Sequence, residues 1–135
     1  MIIDTVYVGS HPCHLVLNKR NGLLYVSNED SNSISVVDAK KMEIQAQIPV
    51  GELPHDLKLS IYGRRLFVCN FKTNTLSIIN TLTNERERNV YVNPNPYHMN
   101  LSSDGKHLYI VNTNFSSLRK GSITILNAKE LKVDD

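Results

Sequence analysis

The 135-residue chain contains no tryptophan, few aromatic residues and no long apolar run. No segment approaches the roughly 20 consecutive apolar residues that cross a bilayer as a helix, so a helical membrane span is not expected. The first residues, Met1-Ile2-Ile3-Asp4, lack the charged and apolar regions of a secretory signal. We therefore expect a cytoplasmic chain, or a secreted or cell-surface one if the natural N-terminus lies upstream.

The chain also lacks a strong excess of either charge, and it has only two cysteines. The formal net charge of +2 is too close to neutral to indicate nucleic acid or an acidic membrane as a partner. Cys13 and Cys69 do not look like a disulfide framework. What is present is 41% hydrophobic residues, enough for the packed core of one domain over residues 1–135.

One pattern is repeated three times at a fixed spacing. It consists of a proline, then an aromatic residue followed by a β-branched residue, and then an asparagine. The copies are Pro12…Tyr25-Val26…Asn28, Pro54…Phe67-Val68…Asn70 and Pro96…Tyr109-Ile110…Asn112, which places the prolines 42 residues apart (54 − 12 = 42; 96 − 54 = 42). A period near 40 with strand-like content is typical of β-propeller blades.

Each repeat predicts four short strands separated by turn signals. The predicted strands are 14–17, 23–27, 34–37 and 44–50, then 57–59, 66–68, 76–79 and 89–92, then 99–101, 108–111, 123–126 and the start of a last strand at 131–133. The prolines are expected in the loop before the first strand of each blade. Gly9 and Gly51 precede two of them by three residues, with Asn93 in the third copy, and are expected to adopt positive φ.

The prediction is therefore an all-β chain of three four-stranded antiparallel sheets in an open, partial propeller. Blade 1 spans about residues 8–49, blade 2 about 50–91 and blade 3 about 92–135, and residues 1–7 form an orphan strand of a preceding or partner blade. Propellers usually close with four to eight blades. Three blades leave two apolar flanks open, so we expect either further blades of a larger propeller or a second copy that closes a six-bladed ring.

The repeats resemble the YVTN family of β-propeller repeats. The motif is found as Gly9…Pro12…Tyr25-Val26-Ser27-Asn28…Val36-Val37-Asp38, and again in the copies that end at Asn80 and Asn127. The resemblance covers about residues 8–130 and implies the propeller fold. It does not imply one activity, because the family includes surface-layer proteins, redox-associated proteins and others. We expect a non-catalytic binding or scaffold module that presents loops to an unknown ligand or protein.

The chain also resembles lactonase propellers of the phosphogluconolactonase type. The similar stretches are Pro54-His55 and Tyr25-Val26-Ser27-Asn28-Glu29. This resemblance implies that His55 or Glu29 could act as a base that activates water. A lactonase-like hydrolase is therefore the alternative function.

Four histidines lie within two residues of the repeat prolines: His11, His14, His55 and His98. Asp56 lies at the position equivalent to His14 and His98. The loops between blades meet at one mouth of a propeller's channel, so these side chains are expected to approach one another and are candidates for ligand binding. His14, His55 and His98 are weak candidates for binding a divalent metal. The alternative is a polar lining without a ligand, and no other cofactor is predicted.

The repeated asparagines Asn28, Asn70 and Asn112 end the second strand of each blade. They are further candidates for ligand contacts at the same mouth. The alternative is that they satisfy backbone groups of their own loops, as asparagine commonly does.

Basic residues gather in turns on the rim opposite the histidines, but acidic residues share that rim and no aromatic residues are interleaved for base stacking. Nucleic acid is therefore not expected as a partner. The basic residues are Lys19, Arg20, Lys40, Lys41, Arg64, Arg65, Arg86, Arg88 and Lys106. The third repeat also carries an insertion of five residues, within segment 114–121, that is expected to form a longer loop on the histidine rim.

Overall fold

The computed structural model describes residues 1–114 and 120–133. Within them it contains twelve strands and a single 3₁₀ turn at Glu29–Ser31. Blade 1 consists of β1 (Pro12–Asn18), β2 (Leu23–Asn28), β3 (Ser33–Asp38) and β4 (Glu43–Pro49). Blade 2 consists of β5 (Pro54–Leu59), β6 (Arg65–Asn70), β7 (Thr75–Asn80) and β8 (Glu85–Tyr91). Blade 3 consists of β9 (Pro96–Leu101), β10 (His107–Asn112), β11 (Ser122–Asn127) and β12 (Lys132–Val133).

Each blade is an antiparallel sheet in which consecutive strands are neighbours. This confirms the predicted fold class of three four-stranded sheets. The turns between the first two strands of each blade carry Gly22, Gly63 and Gly105 at φ of 74°, 69° and 74°. Such left-handed positions are open to glycine because it has no Cβ, which explains why a glycine recurs in this turn.

The repeat prolines do not lie in the loop but are the first residues of the inner strands β1, β5 and β9. Proline fits there because the first residue of a strand need not donate to the ladder. The register shifts close to each of them, between Pro12 and His14, between Pro54 and Leu57, and opposite Pro96. Each inner strand therefore begins with an irregular step that redirects the side chains after the proline.

The prediction of positive φ at Gly9 and Gly51 is wrong, because the positive φ lies on the residue before each proline: His11, Leu53 and Asn95, at 53°, 54° and 59°. The glycines are instead required by close approach. A Cβ on Gly9 would lie 2.6 Å from Cγ of Asn28, and one on Gly51 would lie 2.7 Å from Cγ of Asn70.

The core lies between the blades, in two layers. One layer joins blades 1 and 2 and includes Tyr25, Ile34, Val36, Leu66, Val68 and Ile79. The other joins blades 2 and 3 and includes Phe67, Leu76, Ile78, Leu108, Ile110 and Leu126. Because side chains alternate between the faces of a strand, the middle strands of blade 2 contribute to both layers and are buried except at Arg65 and Asn80.

The outer faces of blades 1 and 3 are apolar and exposed. Leu15 and Ile123 are each 65% exposed, and Leu17, Tyr109, Val111 and Ile125 are exposed beside them. Residues 1–8 belong to no strand in the described part of the chain. No helix among the described residues is long and apolar enough to span a membrane.

Candidate functional site

The candidate site is built from one tripeptide of each repeat, at the start of the inner strands. The three copies open the adjacent inner strands and read Pro12-Cys13-His14, Pro54-His55-Asp56 and Pro96-Tyr97-His98. Because the inner strands of neighbouring blades pack against each other, with β5 between β1 and β9, the side chains after the prolines are brought to one place. We call this group of residues, together with Glu29, the mouth.

Three imidazole rings meet at the mouth, as the repeat predicts. The ring centroids of His14 and His55 are 4.7 Å apart, those of His55 and His98 are 5.3 Å apart, and those of His14 and His98 are 6.0 Å apart. All three pairs are arranged edge to face. Partial burial lowers the pKa of His14, and the nearby His55 lowers it further. This favours the neutral imidazole, which is the form that offers a lone pair.

Glu29 fixes the orientation of His55. Its Oε1 lies 2.7 Å from Nδ1 of His55, and the His55 side chain is only 12% exposed. Burial by itself would raise the pKa of Glu29, but the hydrogen bonds with His55 and Cys13 and the nearby imidazoles of His55 and His11 together outweigh burial, and the pKa of Glu29 is lowered. An ionised carboxylate only accepts hydrogen bonds, so Nδ1 of His55 donates the proton, and in the neutral form of the ring Nε2 holds the free lone pair.

His11 lies at the edge of the mouth and outside the group of three rings. Its side chain is 62% exposed, and its Nδ1 lies 3.2 Å from Oε2 of Glu29 and 3.8 Å from Asp30. Unlike His14, His55 and His98, it does not join the cluster of rings but contacts Glu29, the carboxylate that also binds His55.

Asp56 joins blades 2 and 3 below the rings. Its Oδ2 accepts a hydrogen bond of 2.7 Å from the backbone N–H of Met99, and its Oδ1 accepts one of 2.9 Å from the N–H of Leu57. The carboxylate is largely buried, and Oδ2 also lies 3.8 Å from Nδ1 of His98. The main partner of the Asp56 carboxylate in blade 3 is therefore the backbone of Met99, and its contact with His98 is longer.

Two aromatic side chains, Tyr97 and Phe71, lie beside the rings and are not among the residues predicted from the sequence. Tyr97 stacks on His55 with ring centroids 4.2 Å apart, and Phe71 contacts Tyr97 edge to face at 6.0 Å. With Leu53 and Glu29 these residues line a cavity of ≈ 220 Å³. The repeat could have revealed Tyr97, because it occupies the position equivalent to His55 and Cys13.

Cys13 is the third residue at that position and lies behind His55. Its Sγ is 3.2 Å from Oγ of Ser27 and 4.0 Å from Nδ1 of His55. Burial raises the pKa of the thiol, so the neutral form is favoured at neutral pH.

The asparagines Asn28, Asn70 and Asn112 are buried inside the blades. Each side chain donates to a hydroxyl of the third strand, on Ser35, Ser77 and Thr124, and Asn28 also accepts from the N–H of Gly9 at 3.1 Å. Among the described residues, Oδ1 of Asn70 and of Asn112 has no hydrogen-bond partner. These positions favour a role in holding strands and loops over direct contact with a ligand.

A second, larger cavity of ≈ 560 Å³ lies on the opposite rim, between blades 2 and 3. Residues of both charges line it, among them Arg64, Arg65, Lys106, Glu87 and Asp104. Arg86 and Arg88, expected in a turn, lie instead on the outer strand β8. Most of the inserted loop, with Phe115, Leu118 and Arg119, lies outside the described residues.

No protein-family model matches the chain, and no curated protein sequence matches it. Solved structures do match: hydrazine synthase of Kuenenia stuttgartiensis, with 20% identity and a TM-score of 0.83 over 99% of this chain. Dihydro-heme d1 dehydrogenase NirN in complex with DHE matches with 14% identity and a TM-score of 0.81 over 98%.

The β-propeller domain of Cps50 (Swd1) from Myceliophteria thermophila also matches, with 14% identity and a TM-score of 0.76 over 98% of this chain. The chain spans 38%, 30% and 38% of the three matched structures. At such low identity the likeness concerns the fold alone. It agrees with the three stacked sheets described above, and the chain therefore has the fold of a β-propeller, of which it contains three blades.

Proposed function

We propose that this chain is part of a YVTN-type propeller and that it acts as a binding module without catalysis, taking its ligand at the mouth. The observation that carries the proposal is the meeting of three imidazoles from three blades beside an aromatic cavity. Concave sites with a few convergent polar groups are the usual form of ligand sites in proteins.

The geometry of the mouth supports binding because its groups are already oriented. Glu29 holds His55, and Tyr97 stacks on the same ring. A group that is held in place before binding loses little conformational entropy when the ligand arrives. At ≈ 220 Å³ the cavity is smaller than the roughly 300–1,000 Å³ of drug-sized sites, so it suits a small molecule or one group of a larger partner.

The test is a nuclear magnetic resonance titration of the whole chain with a mixed set of small aromatic carboxylates, aromatic amines and imidazoles, in the presence of EDTA. We expect the side-chain signals of His14, His55 and Tyr97 to shift. Tyr97→Ser is expected to remove these shifts and Tyr97→Phe, which keeps the stack on His55, is expected to keep them.

The matched control is Tyr62→Ser, which removes an exposed tyrosine of the cavity on the opposite rim. It should leave the titration unchanged. Shifts that are confined to residues around Tyr62, or no shifts at the mouth with any compound, would contradict the proposal.

A lactonase-like hydrolase is the second candidate, and the contact between Glu29 and His55 favours it. A carboxylate 2.7 Å from Nδ1 is the arrangement that stabilises an imidazolium while Nε2 takes a proton from water. On this hypothesis the chain hydrolyses dihydrocoumarin, and Glu29→Gln lowers the rate by about 100-fold or more. Absence of hydrolysis by the purified chain would eliminate the candidate.

A further inference from the structure

We propose that His14, His55 and His98 together bind one divalent transition-metal ion of the kind that prefers imidazole, such as zinc. The inference rests on the proposed function, because it names the chemical class of the ligand that the mouth takes. Imidazole nitrogens are common ligands of zinc, copper and nickel, and three of them with an open fourth position form a recurrent zinc geometry.

The distances suit such a site. One ring nitrogen from each histidine lies within 4.8 Å of the other two. Tetrahedral coordination with Zn–N bonds of about 2.0–2.1 Å places the nitrogens roughly 3.3 Å apart. The two separations differ by at most about 1.5 Å (4.8 − 3.3 = 1.5), a gap that rotation of the rings about their side-chain torsions would close in the metal-bound state.

Two carboxylates orient the rings from behind. Oε1 of Glu29 accepts a hydrogen bond of 2.7 Å from Nδ1–H of His55, which leaves Nε2 of the neutral ring as the free ligand atom. Asp56 lies 3.8 Å from Nδ1 of His98, within reach of a hydrogen bond after a small rotation. A carboxylate on the second nitrogen is the usual support of a metal-binding histidine, because it fixes the tautomer and raises the basicity of the ring.

The exposure of the rings leaves room for an exchangeable ligand. The His55 side chain is nearly buried, whereas that of His98 is 53% exposed. An ion held by the three rings would therefore be open to solvent on one side, close to Tyr97 and its cavity. We expect the fourth position to be taken by water or by the small ligand of the mouth.

A second set of groups at the mouth is less suitable. Cys13, Glu29 and His55 also offer ligand atoms within 4.8 Å of one another. The cysteine sulfur approaches Nδ1 of His55, at 4.0 Å, and this is the nitrogen that donates to Glu29. An ion bound there would have to displace the bond between Glu29 and His55, whereas the site of three imidazoles keeps it.

The test uses the whole chain, freed of metal with EDTA and then dialysed. Titration calorimetry with ZnCl₂ should show one ion per chain, and CoCl₂ should give the visible absorption of tetrahedral cobalt. His98→Gln, at an exposed ring, should lower the zinc affinity by about tenfold or more. Glu29→Gln should lower it by roughly 10–100-fold.

His107→Gln is the control. His107 opens β10 on the opposite rim, so zinc affinity should stay at the wild-type value. The inference is overturned by the absence of zinc binding or by wild-type affinity in His98→Gln. Because the titration with organic compounds is done in EDTA, its result is independent, and failure of the metal site is distinguishable from failure of the proposed function.

Discussion

At the scale of single residues, the mouth combines two different positions of the repeat. His14 and His98 are equivalent residues, and Asp56 is the third member of their set. His55 comes instead from the position occupied elsewhere by Cys13 and Tyr97. The repeat by itself therefore brings the two equivalent histidines close to the channel, but the third ring joins them only because Glu29 and Tyr97 hold it there.

The replacement of histidine by Asp56 in blade 2 also has a structural use. Its carboxylate accepts the N–H of Met99, so it ties β5 to β9 across the boundary between two blades. A histidine at this position could not accept two backbone hydrogen bonds, since a neutral imidazole has one acceptor nitrogen. From the sequence alone Asp56 is a ligand candidate, because Met99, its hydrogen-bond partner, is 43 residues away in the chain.

Cys69 provides a test at the residue scale. Its side chain is fully buried, and burial, followed by the nearby Asp56, raises the pKa of the thiol well above its usual value. Thiolate is the reactive form, so in a Cys13→Ser chain the native protein should react with DTNB on the order of 100-fold or more slowly than the urea-unfolded one. Equal rates in the two states would contradict the burial of Cys69 between blades 2 and 3.

At the scale of elements, the turn between the third and fourth strands is repeated with high fidelity. Asp38, Asn80 and Asn127 end the third strands, and each side-chain oxygen accepts the N–H groups two and three residues ahead. Each turn then ends on a residue with positive φ: Met42, Asn84 and Leu131. Aspartate and asparagine serve equally here because both offer an oxygen to the turn.

Asp38 differs from the two asparagines in its charge, which gives a test at the element scale. The backbone N–H of Lys41 is the main cause that lowers the pKa of Asp38 below its ordinary value of 3.8, although the group is exposed. A lowered pKa stabilises the fold above the ordinary value, and this contribution is lost as the pH falls through the folded-state pKa. The urea midpoint of Asp38→Asn should therefore lie below that of the wild type near pH 6, and the difference should shrink as the pH falls below 3.8 and vanish below the folded-state pKa of Asp38.

The control for this prediction is Asn80→Ala. It removes the same pair of backbone hydrogen bonds from an uncharged residue, so its effect on the midpoint should not depend on pH. A difference between wild type and Asp38→Asn that stays constant from pH 6 to pH 3 would show that the charge of Asp38 has no part in stability.

At the scale of the whole molecule, the three blades form an open arc with two apolar flanks. The first flank includes Leu15 and Leu17 on blade 1, and the last flank includes Tyr109, Val111 and Ile123 on blade 3. The corresponding residues of blade 2 are covered by its neighbours: Leu57, Phe67, Cys69 and Leu76 are buried, and Leu59 is partly buried. The flanks therefore have the composition of an interface between blades, and contiguous apolar surface of this kind commonly marks an interaction site.

The test at this scale is sedimentation of the chain over a range of concentrations. We expect the wild type to self-associate, because each Å² of apolar flank that is buried lowers the free energy by about 25 cal/mol. Ile123→Lys should shift association to higher concentration, and Thr83→Lys, which adds the same charge to an exposed turn, should not. A wild type that stays monomeric at high concentration would contradict association through these flanks.

The sequence by itself determined the blades. Their strands, their glycine turns and the alternation of buried residues depend on neighbours within one repeat, and such local features leave a period that can be read directly. It also brought His14 and His98 to one mouth, since equivalent positions of a repeat lie near its axis, and it placed His55 next to Asp56, the third equivalent position.

Only the tertiary structure decided what these side chains contact. The hydrogen bond between His55 and Glu29 and the one from Met99 to Asp56 join residues that are far apart in the chain. Their separation in space, like the burial of Asn70, depends on how the sheets twist and pack. A shift of about 1 Å between blades makes or breaks such a contact without altering the pattern of residues. The chemistry of the mouth is therefore a property of the packing between blades.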